Sequence, residues 1–447
     1  MIDAGSSGCR AHVFRYGVFS KGELYVLPKH VSFKAKPGLS SFVNNPAAAG
    51  ISLDPLIKFA KSNIPEHLWQ ETPIFLKATA GLRMLSADKS KAILDSVRAF
   101  FKDEKSSPFV YRPKHVGIIP GHEEGAFGWI SVNYLYKFIG PRKDNKIEDA
   151  FAVIEMGGAS TQVTQVAPSH IESGAIPPDY KYSFSLSDGE TFTVYTYSYL
   201  GMGGEQAREQ VSQALVLKAR EHSKSKPVET VFDPCLNTGF KRPAGIPRSD
   251  VYDGADGNFN VIGSATSADS CMKVVAQVLI DPKKGKSCPP KAKSPFTMDC
   301  VHQPEFVKKS KNVLVFENFF YAASGAGTLP AGHDESEVST GIFPLKTSPK
   351  EFHDSAGEIC SSTWQAAQEI APKDNQPKET AKKLCFQLAY SSAFLTFGLG
   401  FDEHKEIMVQ KEIDGTDIEW ALGAAYTEAL KFVHQKKPSM RGADTRS

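Results

Sequence analysis

Strand-like and helix-like segments alternate along this chain, and that alternation predicts an α/β architecture. Three observations carry the expectation. Short apolar or alternating runs recur with the period of a strand, longer runs with a 3.6-residue period fall between them, and one strand-then-glycine motif occurs twice. The 447 residues leave room for two or three domains or one two-lobed unit. Lys and Arg total 52 against 50 Asp and Glu, a balance that argues against a general nucleic-acid surface or a polybasic membrane face. No run of about 18 apolar residues occurs, so no transmembrane helix is expected.

The elements follow in order. Met1-Ile2-Asp3 reads as the end of a strand, shorter than the usual five or six residues. An upstream part, able to carry a signal or an anchor, is therefore expected to be missing. Residues 9–16 alternate as a strand after a Gly-Ser turn, and 74–79 read as a buried strand followed by a helix from Ser86 to Phe101. Residues 116–119 form a short strand broken at Pro120-Gly121. Residues 150–155 and 161–166 pair as a hairpin, and 180–186 pairs with 191–199 around Asp188-Gly189. The pattern is helical over 204–222, 379–398 and 417–434. Residues 223–311, rich in Lys, Pro, Gly and Ser, read as an irregular insertion, and the last dozen residues as a disordered tail.

Six of the seven cysteines fall in the second half of the chain, which suggests disulfides and an oxidising compartment. Six cysteines allow about fifteen pairings. Pairing sequence neighbours gives Cys235–Cys271, Cys288–Cys300 and Cys360–Cys385, with Cys9 left over. No Cys/His spacing suited to zinc occurs, and no Asn-x-Ser/Thr glycosylation site.

The repeat is the most informative feature. Ile2-Asp3-Ala4-Gly5-Ser6-Ser7-Gly8 and Ile154-Glu155-Met156-Gly157-Gly158-Ala159-Ser160 share one grammar: a strand, a carboxylate, then small residues. A turn with little side-chain bulk lets backbone N–H groups approach an anion. Two such loops could grip a polyphosphate while the two carboxylates hold a divalent cation that offsets its charge. The P-loop pattern is absent. Gly121-His122-Glu123-Glu124-Gly125 places carboxylates after a strand and a Pro-Gly break, where one could deprotonate a water; a favourable Glu at a helix N-terminus is the competing reading.

These motifs together resemble the nucleoside triphosphate diphosphohydrolases, the apyrase (GDA1/CD39) family, whose five characteristic regions are found here in order. They are Asp3 to Arg10; Ala78-Thr79-Ala80-Gly81-Leu82-Arg83; Glu123 to Trp129 with Asn133-Tyr134; Glu155 to Gln162; and Tyr197-Ser198-Tyr199-Leu200-Gly201 with Ala207-Arg208. Gly400-Phe401-Asp402-Glu403 and Trp420-Ala421-Leu422-Gly423 add to the likeness. The resemblance implies two RNase H-like lobes of the actin/Hsp70/hexokinase superfamily with the active site in the inter-lobe cleft. Lobe I would comprise residues 1–120 with 413–447, and lobe II residues 121–412 with the Cys-rich insertion.

The resemblance also implies roles. Glu124 would be the catalytic base, with Ser160 and Gln162 orienting the attacking water. Ser6, Ser7, Gly8, Thr79, Arg83, Gly157, Gly158 and Ala159 would bind phosphate. Asp3 and Glu155 would hold Ca²⁺ or Mg²⁺ through its water shell, and Phe320 and Tyr321 would flank the nucleobase. The implied reaction releases orthophosphate from nucleoside tri- or diphosphates without a covalent intermediate. The expected setting is the secretory pathway, as a monomer with no nucleic-acid partner and with any membrane attachment outside this chain. Three positions depart from the family pattern: Glu155 stands for Asp, moving the carboxylate by about 1.5 Å; Cys9 stands for a Thr, Ser or His and places a thiol near the site; and Leu384 stands for an aromatic. The competing reading is a nucleotide-binding member that Glu155 has disabled for hydrolysis; a third, an exopolyphosphatase or sugar kinase, is disfavoured by the third and fifth regions.

Overall fold

In the computed structural model the described residues are 1–19, 23–27, 29–168, 176–187, 189–222, 230–243, 260–280, 298–326, 345–370 and 377–436. They divide into two compact units, one of residues 1–150, 164–197 and 414–447, the other of 151–163 and 198–413. This differs from the expected boundary at 120. The helix Gly121–Leu135 packs against the helix Trp420–Lys436, so it stays with the first unit. The contact is tight at one point: a Cβ on Gly423 would stand 2.2 Å from the Phe127 carbonyl oxygen, so only glycine lets the two backbones meet.

The first unit is built on a five-stranded sheet in the order Val31–Ala35, Cys9–Val13, Ile2–Ala4, Leu76–Ala78, Val116–Ile118. Ile2–Ala4 is antiparallel to Cys9–Val13 and parallel to Leu76–Ala78, which aligns Asp3 with Arg10 on one side and Lys77 on the other. The helices Asp54–Asn63 and Ala87–Lys102 bury Leu56, Ile57, Ile93, Leu94 and Val97 against Ile2, Ala4 and Leu76. Helix Ala87–Lys102 lies within one residue of its expected span, because apolar residues recur there at helical spacing. Gly121–Leu135 carried no such signal: it is buried on nearly every side, and a helix without a polar face has no amphipathic period.

A seven-stranded sheet has the order Lys181–Ser185, Thr191–Leu200, Ser160–Val166, Ala152–Met156, Val313–Glu317, Ile407–Val409, Leu345–Thr347. Both expected hairpins are present in it, although Asp188 lies outside the described residues. Val313–Glu317 runs parallel to Ala152–Met156, with Phe316 level with Glu155 and Glu317 level with Met156. Part of the supposed irregular insertion is regular: Thr230–Asn237, Lys241–Pro243 and Asn260–Ala265 form a three-stranded sheet, followed by the helix Ala268–Val275. Cys235–Cys271 and Cys360–Cys385 are bonded as expected, one of them tying that sheet to that helix. Cys300 is also disulfide-bonded; its expected partner Cys288, like the C-terminal tail, lies outside the described residues. Among the described residues no helix is long and apolar enough to cross a membrane.

Candidate active site

Each unit carries one copy of the repeated loop, and in each the loop joins two neighbouring strands of a sheet. In the first unit Asp3 lies in the strand Ile2–Ala4, and Ser6, Ser7 and Gly8 form the turn that follows. Thr79 donates its backbone N–H to the Ala4 carbonyl at 3.3 Å, which places the Thr79–Arg83 segment beside the loop. The approach is close enough that a Cβ on Gly81 would stand 2.9 Å from Ser6 Cα. Lys34 Nζ reaches Ser7 Oγ at 3.5 Å from the neighbouring strand.

The structure gives Arg83 a use that the sequence did not reveal. Its guanidinium donates to Glu124 Oε2 at 2.6 Å and to the Ile119 carbonyl at 3.1 Å. Glu124 stands in the first turn of Gly121–Leu135, after Pro120, and is 6 % exposed. Burial pushes its pKa up, and the Arg83 charge and hydrogen bond pull it back down. The expected base is thus a desolvated carboxylate held in one orientation, as a proton acceptor near neutral pH requires. The neighbouring His122 has its carbonyl bonded by the Thr196 hydroxyl at 3.2 Å, and its ring lies 6.1 Å from that of Tyr182.

In the second unit Glu155 ends the strand Ala152–Met156 and is 6 % exposed. The loop after it is held from one side. Gly157 carbonyl accepts from Gly204 N–H at 2.9 Å, Gly158 carbonyl from Glu205 and Gln206 N–H at 3.1 and 3.0 Å, and Ala159 carbonyl from Gly201 N–H at 2.8 Å. A trans peptide is planar, with its C=O and N–H opposed. Carbonyls 157 and 158 drawn toward the helix Gly204–His222 therefore turn the N–H groups of Gly158 and Ala159 the other way, the arrangement that receives an anion. Gly203 makes this possible, since a Cβ there would lie 2.3 Å from Ala159 N. Gln162 Nε2 donates to Ser160 Oγ at 2.7 Å and to Ser198 Oγ at 2.9 Å. A hydroxyl that accepts from an amide has its own O–H to donate onward. Ser198 was part of the fifth region but had no role assigned from sequence.

Burial separates residues that the sequence grouped. Phe320 is only 3 % exposed, whereas Tyr321 is 46 % exposed. Both stand on the helix Asn318–Gly325, where Phe320 turns into the core. Leu384 is buried and would touch any Cβ at Gly325, so it fills core there. The Cys9 thiol is 2 % exposed, and burial with the nearby Asp3 charge pushes its pKa up to about 12.

Asp3 and Glu155 offer hard carboxylate oxygens, the donor type that Ca²⁺ and Mg²⁺ take. Among the described residues no group of three or more His, Cys, Asp or Glu side chains is gathered for a metal. Neither carboxylate stands, among the described residues, in a group of protein donors large enough for an all-protein cage.

Two α/β units with a carboxylate–glycine loop in each make the frame of this site, and the chain is a phosphoanhydride hydrolase by the family it matches. The chain belongs to the GDA1/CD39 (nucleoside phosphatase) family, which matches it over residues 1–439. It is 31 % identical to a guanosine-diphosphatase of Candida albicans over 95 % of this chain and 69 % of that one. It is 29 % identical to the human nucleoside diphosphate phosphatase ENTPD5, over 95 % of this chain and 86 % of that one. The crystal structure of a nucleoside triphosphate hydrolase from Neospora caninum shares the fold, with a TM-score of 0.66 at 16 % identity over 96 % of this chain and 92 % of that one.

Proposed function

We propose that this protein hydrolyses nucleoside di- and triphosphates by direct attack of water on the terminal phosphorus, with Glu124 as the base. The observation that carries this reading is the Arg83–Glu124 pair, a buried carboxylate fixed by a guanidinium at 2.6 Å. Water gives its proton to Glu124 while its oxygen bonds to phosphorus. The bond to the bridging oxygen breaks, the shortened nucleotide leaves with the electron pair, and orthophosphate is released. Ser160 and Gln162, linked by a 2.7 Å hydrogen bond, orient the water. Ser6, Ser7 and Gly8, with Thr79 nearby, and Gly157, Gly158 and Ala159 hold phosphate oxygens. Arg83 acts on phosphate and on the base.

Asp3 and Glu155 would hold Ca²⁺ or Mg²⁺ through water, and the ion would offset phosphate charge. Tyr321 would stack on the base, as an exposed ring can. The names of the relatives make GDP the first substrate to test, beside UDP, ADP and ATP. The bonded cysteines support residence in the secretory pathway. The test is phosphate release from these nucleotides by the wild type and Glu124→Gln. The variant is expected to stay folded, to bind nucleotide and to lose about 10²–10⁴-fold in rate. Wild-type turnover in Glu124→Gln would remove Glu124 from the mechanism.

A further inference from the structure

We infer that Asn318 is a positioning residue for the second loop, an inference that rests on the reading of 157–159 as a phosphate loop. The strand Val313–Glu317 runs parallel to Ala152–Met156 and ends level with it, Glu317 beside Met156. Glu317 then takes φ 60° and ψ −119°, a conformation that glycine adopts readily and glutamate does not. This abrupt turn starts the helix Asn318–Gly325 and swings the Asn318 side chain back over the end of the neighbouring strand. Its Nδ2 donates to the Met156 carbonyl at 2.8 Å and to the Gly157 carbonyl at 2.9 Å. Both amide protons are spent on the two residues that follow Glu155.

Two neighbours fix that amide. Gln387 Nε2 donates to Asn318 Oδ1 at 3.2 Å, which sets the oxygen on the far side and the nitrogen toward the loop. Gly204 leaves the space, since a Cβ there would lie 3.0 Å from Asn318 Cγ. Gly204 also donates its own N–H to the Gly157 carbonyl, so that oxygen is held from two directions. The Gly157 peptide is the one whose orientation turns the Gly158 N–H outward. Asn318 therefore works through the loop: it keeps a glycine-rich turn, free to flip in isolation, in the single arrangement that presents N–H groups to phosphate. None of the sequence motifs pointed to this residue, because the motif on which it acts lies more than 150 positions away.

The test compares wild type with Asn318→Ala and Asn318→Asp by steady-state kinetics on GDP, by thermal melting and by amide hydrogen exchange of the peptides covering 156–162. A loop that loses its orientation misplaces the groups that meet the reacting phosphate, and a displacement of about 1 Å can cost about a hundredfold in rate. Asn318→Ala should lower kcat about 10–100-fold, change KM by less than about threefold, and speed exchange in 156–162 while leaving exchange elsewhere unchanged. Asn318→Asp should be worse, because it turns carboxylate oxygens toward two carbonyl oxygens. Unchanged exchange in the loop, or faster exchange with wild-type kcat, would overturn the inference. If Asn318 variants fail to fold, Gln387→Leu removes only the lock on the amide and should give the same pattern more weakly; wild-type kinetics and exchange in that variant would overturn it. If the wild type itself releases no phosphate, the hydrolytic reading fails, and loop exchange alone still decides whether Asn318 holds the loop.

Discussion

Arg83→Met is the sharpest perturbation of the proposed chemistry, because it leaves a buried stem in place and takes away the guanidinium that meets Glu124, the Ile119 carbonyl and, in the proposed reaction, phosphate; the pH dependence isolates the part that acts on the base. Glu124 is 6 % exposed; burial raises its pKa, and Arg83 at 2.6 Å opposes that rise. Unit charges about 4 Å apart interact by about 4 kcal/mol at an effective dielectric constant near 20. At about 1.36 kcal/mol per pKa unit that is an upper bound of about three units. Water entering the vacated space trims it, so the Glu124 pKa should climb by about one to three units. The base works only when ionised. The acid limb of kcat/KM should move up by the same amount, and at a pH below the new limb the rate falls tenfold per unit. The stability effect has a definite sign. A carboxyl whose folded pKa is raised favours the folded state in its protonated form; that contribution is full below the unfolded pKa and is lost as pH rises through the folded one. Arg83→Met therefore loses more stability relative to wild type at pH 8 than at pH 5. Phosphate release from GDP between about pH 4.5 and 9, with thermal melts across the same range, reads both effects. An acid limb that stays where it is in wild type would refute the assignment of Glu124 as the titrating base and of Arg83 as its partner.

The remaining expectations are independent of that one. Chelation should abolish phosphate release and either Ca²⁺ or Mg²⁺ should restore it, while Glu155→Asp shifts the ratio of the two activities; turnover that survives chelator would exclude a metal from the reaction. Gly203→Ala drives a methyl to within 2.3 Å of Ala159 N. Its cost should be about 1–3 kcal/mol of stability with at least a tenfold loss of rate, and a variant that melts and turns over like wild type would contradict the packing described. Replacing both Cys360 and Cys385 by Ser frees a loop of 25-residue separation. Chain-entropy arithmetic puts the loss near 3.5 kcal/mol in a urea melt, and no change in the midpoint would show that the bridge leaves the unfolded chain unconstrained.

The candidate site could be nominated from the sequence because its logic is local. A strand, a carboxylate and glycines within seven residues leave backbone N–H groups open to an anion, and the repeat at Asp3 and Glu155 nominated two such turns. Helix Ala87–Lys102 and the hairpin strands were legible for the same reason: one face is buried and the other wet, so burial leaves its period in the residue order. Helix Gly121–Leu135 left no period, being buried on nearly all sides, and its attachment to Trp420–Lys436 rests on Gly423, whose significance is visible only when the two backbones meet.

What the tertiary structure alone decided are the pairings between distant residues. Sequence could nominate Glu124 and Arg83 from separate motifs, but only the fold brings the guanidinium to the carboxylate and sets that carboxylate between desolvation and an opposing charge. The same holds for the exposed Tyr321 and buried Phe320, adjacent in sequence and opposite in surroundings, and for the thiol of Cys9, sequestered by the core. Asn318 is the clearest case. Residue type gave it no distinction, and the reach of its amide to the Met156 and Gly157 carbonyls comes from a parallel strand register that ends Glu317 beside Met156. Local chemistry is written in the order of residues, whereas orientation and pKa depend on what the folded chain packs around each group.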